Sequence, residues 1–444
     1  MEEIPEGGKE EYSSGKGGRM MFSRKFILKG NVKVALHHRS SDSLSLRIIT
    51  KGGRALDPEL KEGTTSLMAS LLLHGCKGKP YEKVVEELEG TGTSLYFSPA
   101  LESIQVSFWA LREFAMKGLE ILRDCMEAPD FPEEELERER QRAIAELRRI
   151  WDEPEEAASR IFSGRVFGPH PYSRLDTEKS LKNILREDLR ERFLNSFRSA
   201  STYMALAGRE EDMEQALQIL LPVFREGETE LSLPQPSAAS MRIYFYLKED
   251  AEQVQIRMGH PSFPRSYPHY EEAMVLNYIL GGGGFSSRLM ERIRAKEGLT
   301  YSIRSSFSPM LRAGLFYIST FTRPENTKKT IEGIIEEVKK VISGGVSQEE
   351  VEKARSYFVG HFPLGLETPS QVTSLLASML FYGLGEDYPE KFIARIKALT
   401  PKEVNRVAGE LLHPEEFQIA VVGNEMALRE LESLGEVERV VPEY

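Results

Sequence analysis

The sequence predicts an α+β protein of two similar tandem domains, each a mostly antiparallel sheet with helices packed on one side. Three observations lead there. The chain has 444 residues, close to three times the ~150 of an ordinary domain. Stretches of period-two alternation, the mark of half-buried strands, are interleaved with stretches of helical periodicity in both halves. Finally, Phe131-Pro-Glu-Glu-Glu-Leu-Glu-Arg and Val346-Ser-Gln-Glu-Glu-Val-Glu-Lys align without gaps at an offset of 215 residues. Each copy follows a helix and opens another. The shared order of elements around them favours duplication of an α+β unit over a chance likeness of two acidic helix starts.

Residues 1–20 read as a flexible tail, Gly-, Glu- and Lys-rich. Phe26 to Leu36 and Leu44 to Thr50 alternate like half-buried strands. Thr64 to Leu73 is a short apolar helix with Gly63 before it and Gly75 as its stop, and Tyr81 to Glu89 is a second helix. Alternation returns at Ser94 to Phe97 and Ser103 to Leu111, followed by helices over Phe114 to Met126 and the charge-laced Glu133 to Trp151. Thr202 to Ala207 is a strand that leads into helix up to Phe224. Glu226 to Ala239, with Leu-Pro-Gln-Pro at its centre, reads as a linker. The order then repeats: strands at Arg242 to Leu247 and Gln253 to Met258, and a helix at Tyr270 to Leu280. Strands follow at Leu299 to Ser306 and Gly314 to Phe321, then a helix at Thr327 to Ile342. The division is therefore 1–20, 21–225, the linker 226–239, and 240–444.

Composition narrows the function classes. Apolar residues make 40% and charged residues 29%, a globular balance. The net charge of −11 disfavours general nucleic-acid binding, which needs clustered Lys and Arg. No apolar run approaches the ~18 residues of a membrane span. Nothing near the N-terminus resembles a signal peptide, so the expected compartment is the cytoplasm, or the periplasm if a leader has been removed. The two cysteines, Cys76 and Cys125, lie in apolar helical context and read as buried thiols.

Several chemistries are missing. The histidines stand at 37, 38, 74, 170, 260, 269, 361 and 413, and no two are three or four positions apart. A helical His pair for zinc is therefore absent. Gly284-Phe-Ser-Ser-Arg288 lacks the final glycine of a nucleophile elbow. Gly281 to Gly284 follows a helix and precedes no Gly-Lys-Ser/Thr, so it is neither a Rossmann turn nor a P-loop. A tight helix-to-helix turn requiring positive φ is the expectation.

Other residues do form a recognisable set. In the first half these are Gly52-Gly-Arg54, Gly63, Gly92 with strands around Glu102, and His170-Pro-Tyr-Ser-Arg174 followed by Thr177 to Asp188. In the second half they are Leu280-Gly-Gly-Gly-Gly-Phe-Ser-Ser-Arg-Leu289 and Arg294-Ala-Lys-Glu-Gly-Leu-Thr-Tyr301. With these the chain, from Phe26 to Val422, resembles the pitrilysin–insulinase zinc peptidase family, in its two-domain bacterial branch related to mitochondrial processing peptidase. The resemblance implies a His-x-x-Glu-His motif on the first helix and a distal Glu ligand. At the matching positions stand Ser66, Leu67, Met68, Ala69 and Ser70, while the distal position holds Glu146 and a second acidic position Glu139. Both imidazoles and the general base are lost, so no zinc is expected in this chain. Glu139 and Glu146 then read as part of a salt-bridge ladder with Arg138, Arg142 and Arg149. Tyr96-Phe97 stands where active relatives place a small Asn-Ala pair, and would crowd a peptide.

The resemblance also implies an Arg and a Tyr from the C-terminal domain facing the zinc, matched here by Arg294 and Tyr301, with Gly298 as the helix stop between them. Their ordinary structural readings are a helix-end cation and a half-buried strand residue. The expected function is a zinc-less subunit of a heterodimeric zinc metalloendopeptidase. It would supply Arg294 and Tyr301 to peptide bound at a zinc-bearing homologous partner, with no catalytic residue acting alone. The alternatives are a structural subunit like the peptidase-derived core proteins of respiratory complexes, and a peptide-binding homodimer without proteolysis.

Overall fold

In this computed structural model, residues 22–237 and 239–442 are described; the expected tail at 1–20 lies outside them. The first half supplies strands β1 (Lys25–Lys29), β2 (Val32–His38), β3 (Ser43–Lys51), β4 (Ser94–Pro99), β5 (Ser103–Leu111) and β6 (Thr202–Gly208). The second supplies β7 (Arg242–Leu247), β8 (Val254–Ser262), β9 (Ile303–Pro309), β10 (Gly314–Thr322), β11 (Gln418–Gly423) and β12 (Val437–Arg439). The stretch expected as one strand from Phe26 to Leu36 is a hairpin. Gly30 and Asn31 turn it with φ of 53° and 65°, the backbone of a tight two-residue loop.

Two six-stranded sheets result, ordered β1-β2-β6-β3-β5-β4 and β9-β10-β8-β11-β7-β12. Read in reverse, the second repeats the first over five strands, including one parallel pair (β2 with β6, β7 with β11) among antiparallel neighbours. The correspondence reaches single rungs. Arg47 pairs with Ser107 and Ala205 in the first sheet, and Arg257 pairs with Ser319 and Ala420 in the second. Only the outermost strand differs, since β1 joins antiparallel from the N-terminal side and β12 parallel from the C-terminal side.

Each half packs its own helices on one face of its sheet. In β5 the side chains of Ile104, Val106, Phe108 and Ala110 are buried, in one cluster with Leu67 and Met68 of helix 64–71 and Leu119 and Leu122 of helix 112–127. The opposite faces are covered by exchange. Helix Pro154–Arg165 of the first half lays Ala157, Ala158, Ile161 and Phe162 against Tyr244, Ala420 and Val422 of the second sheet. Helix Pro369–Tyr382 of the second half lays Val372, Leu376, Ala377 and Phe381 against Ala35, Ile49, Tyr203 and Ala205 of the first. A central strand such as β6 is consequently buried along its whole length. Burying both faces takes both halves, and residues 226–237 join them without helix or strand.

Among the described residues no helix is long and apolar enough to cross a membrane. The two thiols are buried, with Cys125 Sγ 3.1 Å from Cys76 Sγ. Of the glycine quartet only Gly284 takes positive φ (58°). Gly281 is instead set by close approach, because a Cβ there would meet the Ser305 backbone nitrogen at 2.6 Å.

His260 on β8 is fully buried between Phe316 and Phe417. Its Nδ1 donates to the Pro261 carbonyl at 2.6 Å, and its Nε2 accepts from the His413 backbone N–H at 3.3 Å. That pattern needs the neutral ring, and burial lowers its pKa from 6.5 to about 4. The unfolded chain takes up this proton from pH 6.5 downward and the folded chain only near 4. The stability it supports is therefore complete above pH 6.5 and lost as pH falls through that window, on the order of 3 kcal/mol in all. Denaturant melts at pH 7 and pH 4.5 should show this slope, and His260→Phe should flatten it.

Candidate functional site

The helix that would carry a zinc motif is well formed. Asp57 caps it, accepting from the Gly63 and Thr65 backbone N–H groups at 3.0 Å each. Burial pushes the Asp57 carboxyl up, opposed by the Thr65 hydroxyl and the Arg192 charge. Arg192 donates to the Thr65 hydroxyl at 2.8 Å and to the Gly52 and Gly53 carbonyls, so Gly52-Gly-Arg54 belongs to the support of this helix. Met68 and Ala69 are buried, and the Ser70 hydroxyl donates back to the Leu67 carbonyl at 3.0 Å. Phe97 packs on the cluster that includes Leu67 and Met68, while Tyr96 projects outward, 61% exposed.

Both Glu146 oxygens accept from Arg149, at 2.9 and 2.7 Å, and that hydrogen bonding lowers the Glu146 pKa. Arg149 also holds Glu156, and Glu139 takes Arg142 at 2.6 Å. Arg142 and Arg149 thus take the expected places in the ladder, whereas Arg138 pairs one turn earlier, with Glu134 and Glu135. Zinc takes thiolate, imidazole or carboxylate ligands, three or four together. Two serine hydroxyls, one methyl and one arginine-bound carboxylate do not fit it.

Arg294 and Tyr301 meet at a different place. The chain reverses at Gly298, whose φ of 65° is open to glycine without strain. Its N–H donates to the Arg294 carbonyl at 3.1 Å, and the Leu299 N–H to the Ile293 carbonyl at 2.9 Å. That turn returns Tyr301 to the side of Arg294, and both line one pocket of about 430 Å³ with Gln253, Phe321 and Arg323. The strand expected from Leu299 begins only at Ile303, which leaves Tyr301 on the connecting loop, 79% exposed. A packed strand residue would be covered, so the ordinary reading of Tyr301 fails. Arg294 is half-buried and meets no carboxylate among the described residues. Its guanidinium lies 4.6 Å from the ring centre of Phe285, itself 78% exposed. Phe285 lies within the Leu280 to Leu289 motif, where no role was expected of it. Its one signal is a large apolar residue amid glycines and serines.

Two further motif residues, Glu102 and His170, tie the first half to the second and to the connecting segment. Glu102, at the tip of the β4–β5 hairpin, accepts from the Leu311 and Arg312 backbone N–H groups at 2.6 and 3.2 Å, at the tip of the β9–β10 hairpin. The Tyr172 hydroxyl donates to the same carboxylate. His170 accepts from the Tyr172 N–H at 3.0 Å and its Nε2 lies 2.9 Å from the Pro234 carbonyl, tying His170-Pro-Tyr-Ser-Arg174 to the connecting segment.

A family model described as insulinase (peptidase family M16) matches residues 33–174, and one described as peptidase M16 inactive domain matches residues 183–358. The chain belongs to the insulinase (M16) peptidase family. It is similar to the non-peptidase homologue YmxG of Helicobacter pylori, 25% identical over 387 residues, 85% of this chain and 88% of that protein. An uncharacterized zinc protease of Bacillus subtilis, also called YmxG, is 22% identical over 405 residues, 90% of this chain and 98% of that one. The crystal structure of a peptidase M16 inactive domain from Pseudomonas fluorescens shares the fold with a TM-score of 0.84 at 24% identity, covering 90% of this chain and 98% of that one. The degenerate helix at Ser66, Ala69 and Ser70 is in keeping with an inactive M16 homologue.

Proposed function

We propose that this M16 homologue is the zinc-less subunit of a heterodimeric metalloendopeptidase, inactive alone, whose homologous partner carries zinc and the His-x-x-Glu-His motif. The observation that supports this reading is the shared pocket of Arg294 and Tyr301 in a chain whose zinc positions hold no ligand set. An exposed phenol beside an arginine free of carboxylates suits a surface that completes another chain's centre. There, Tyr301 donates to the oxygen that gains negative charge as the peptide bond is attacked, and Arg294 orients the substrate carbonyl.

Co-expression with the nearest encoded homologue that bears an intact motif, followed by size exclusion and a peptide-cleavage assay, tests the pairing. A stable 1:1 complex that cleaves peptide is expected, with neither chain active alone. A chain that stays monomeric beside that homologue at micromolar concentration ends the heterodimer reading. For the isolated chain, stripping with chelator and reloading should leave no stoichiometric zinc. Zinc bound one-to-one and lost on Glu146→Ala would refute the assignment of the metal to the partner.

A further inference from the structure

The pocket of Arg294 and Tyr301 adjoins a second one, of about 670 Å³, and Phe321 lines both. Successive residues stand on either side, Tyr301 in the first and Ser302 in the second. Together they form a trough on the second sheet beside the exchanged helix 154–165, whose Glu155 and Ala158 line the second pocket. Arg257, Arg294, Arg304 and Arg323 line it, against a single carboxylate among the described residues, Glu155. Among the described residues Arg257, Arg294 and Arg304 pair with no acid. Arg257 donates to the Ser159 hydroxyl and lies over Tyr317 at 4.7 Å, and Arg323 reaches only Glu325, at 3.6 Å.

The duplication shows that this charge belongs to the second half. The rung Arg257–Ser319 runs on to Arg304, whereas the equivalent rung Arg47–Ser107 runs on to Tyr96. Arg47 is moreover held by Gln105 and Ser107. A cationic trough on a chain of net charge −11 runs against the protein's overall balance. Guanidiniums that pair with no acid, as at Arg294 and Arg304, beside aromatic residues such as Phe285 and Phe321 select carboxylates carried on a partly apolar chain.

We infer that this trough binds an extended peptide segment through acidic side chains, with Arg304 and Arg323 reading carboxylates in the two pockets that Phe321 lines. The inference rests on the reading of the Arg294–Tyr301 pocket as peptide-facing, and adds the class of peptide.

The test is fluorescence anisotropy on the intact isolated chain with labelled twelve-residue peptides that share apolar positions and differ only in carrying four Glu, four Gln or four Lys. The Glu peptide should bind about tenfold more tightly than the Gln peptide at low salt, with the difference shrinking as salt screens the charges. Arg304→Gln with Arg323→Gln should abolish that preference, while Arg138→Gln on the first-half helix should leave it intact. Amidating the C-terminus of the Glu peptide should change little. Equal or tighter binding of the Lys peptide, a Glu preference that survives the double substitution, or one that depends on the free C-terminus would each overturn the inference. Because binding is read on the isolated chain, a failed partner assay with the Glu preference intact would fault the heterodimer and leave the trough standing.

Discussion

Tyr301→Phe in the assembled pair is expected to lower kcat by about 10²–10³ with little change in KM, since a donor aimed at developing charge acts mainly in the transition state. The substitution removes one oxygen from a side chain that is 79% exposed, so folding should be untouched. Arg294→Ala should lower kcat as well and also raise KM, because it removes a charged contact and the cation that lies over Phe285. Melting temperature, dimer content and kcat measured on the same samples separate catalysis from structure. If a stable Tyr301→Phe heterodimer keeps full turnover, the phenol takes no part in the reaction.

Glu102→Ala should destabilise the folded chain by about 2–3 kcal/mol, because it strips the shared acceptor from three donors, the Leu311 and Arg312 N–H groups and the buried Tyr172 hydroxyl. The carboxylate is only 5% exposed and joins the hairpin tips of the two halves. Burial pushes its pKa up, opposed by the hydrogen bonds from Leu311 and Tyr172. Glu102→Gln keeps an acceptor oxygen and should cost clearly less. Urea melts of the three proteins give the ranking through the midpoint at constant slope. A loss below about 0.5 kcal/mol in the alanine variant would mean that the tips hold together without this grip.

Much of the fold was legible in the chain because it is encoded over short spans. The long helix Glu133–Asp152 follows from its apolar spacing and acidic first turn, and β5 from its alternation. The loss of zinc ligands at Ser66, Ala69 and Ser70 was equally legible, since a helical motif is fixed by spacing within one and a half turns. Gly298 as a stop between Arg294 and Tyr301 was another local signal.

What the chain did not disclose depends on segments far apart in sequence. Helix Pro154–Arg165 has an apolar face, but nothing local says that the face belongs on the other half's sheet. That is decided by which sheet has an uncovered side once each half has packed its own helices. Glu102 falls between two expected strands, and nothing local shows that it will grip Leu311 and Arg312 from 209 and 210 residues away. The trough is of the same kind, gathering Arg257, Arg294, Arg304 and Arg323 from separate elements at the second sheet. Periodicity and caps within about twenty residues carry the elements and the missing motif, because helix and strand geometry act over that range. Which faces meet, and which charges are left without partners, is settled only when the two halves close on each other and bury both sides of their sheets.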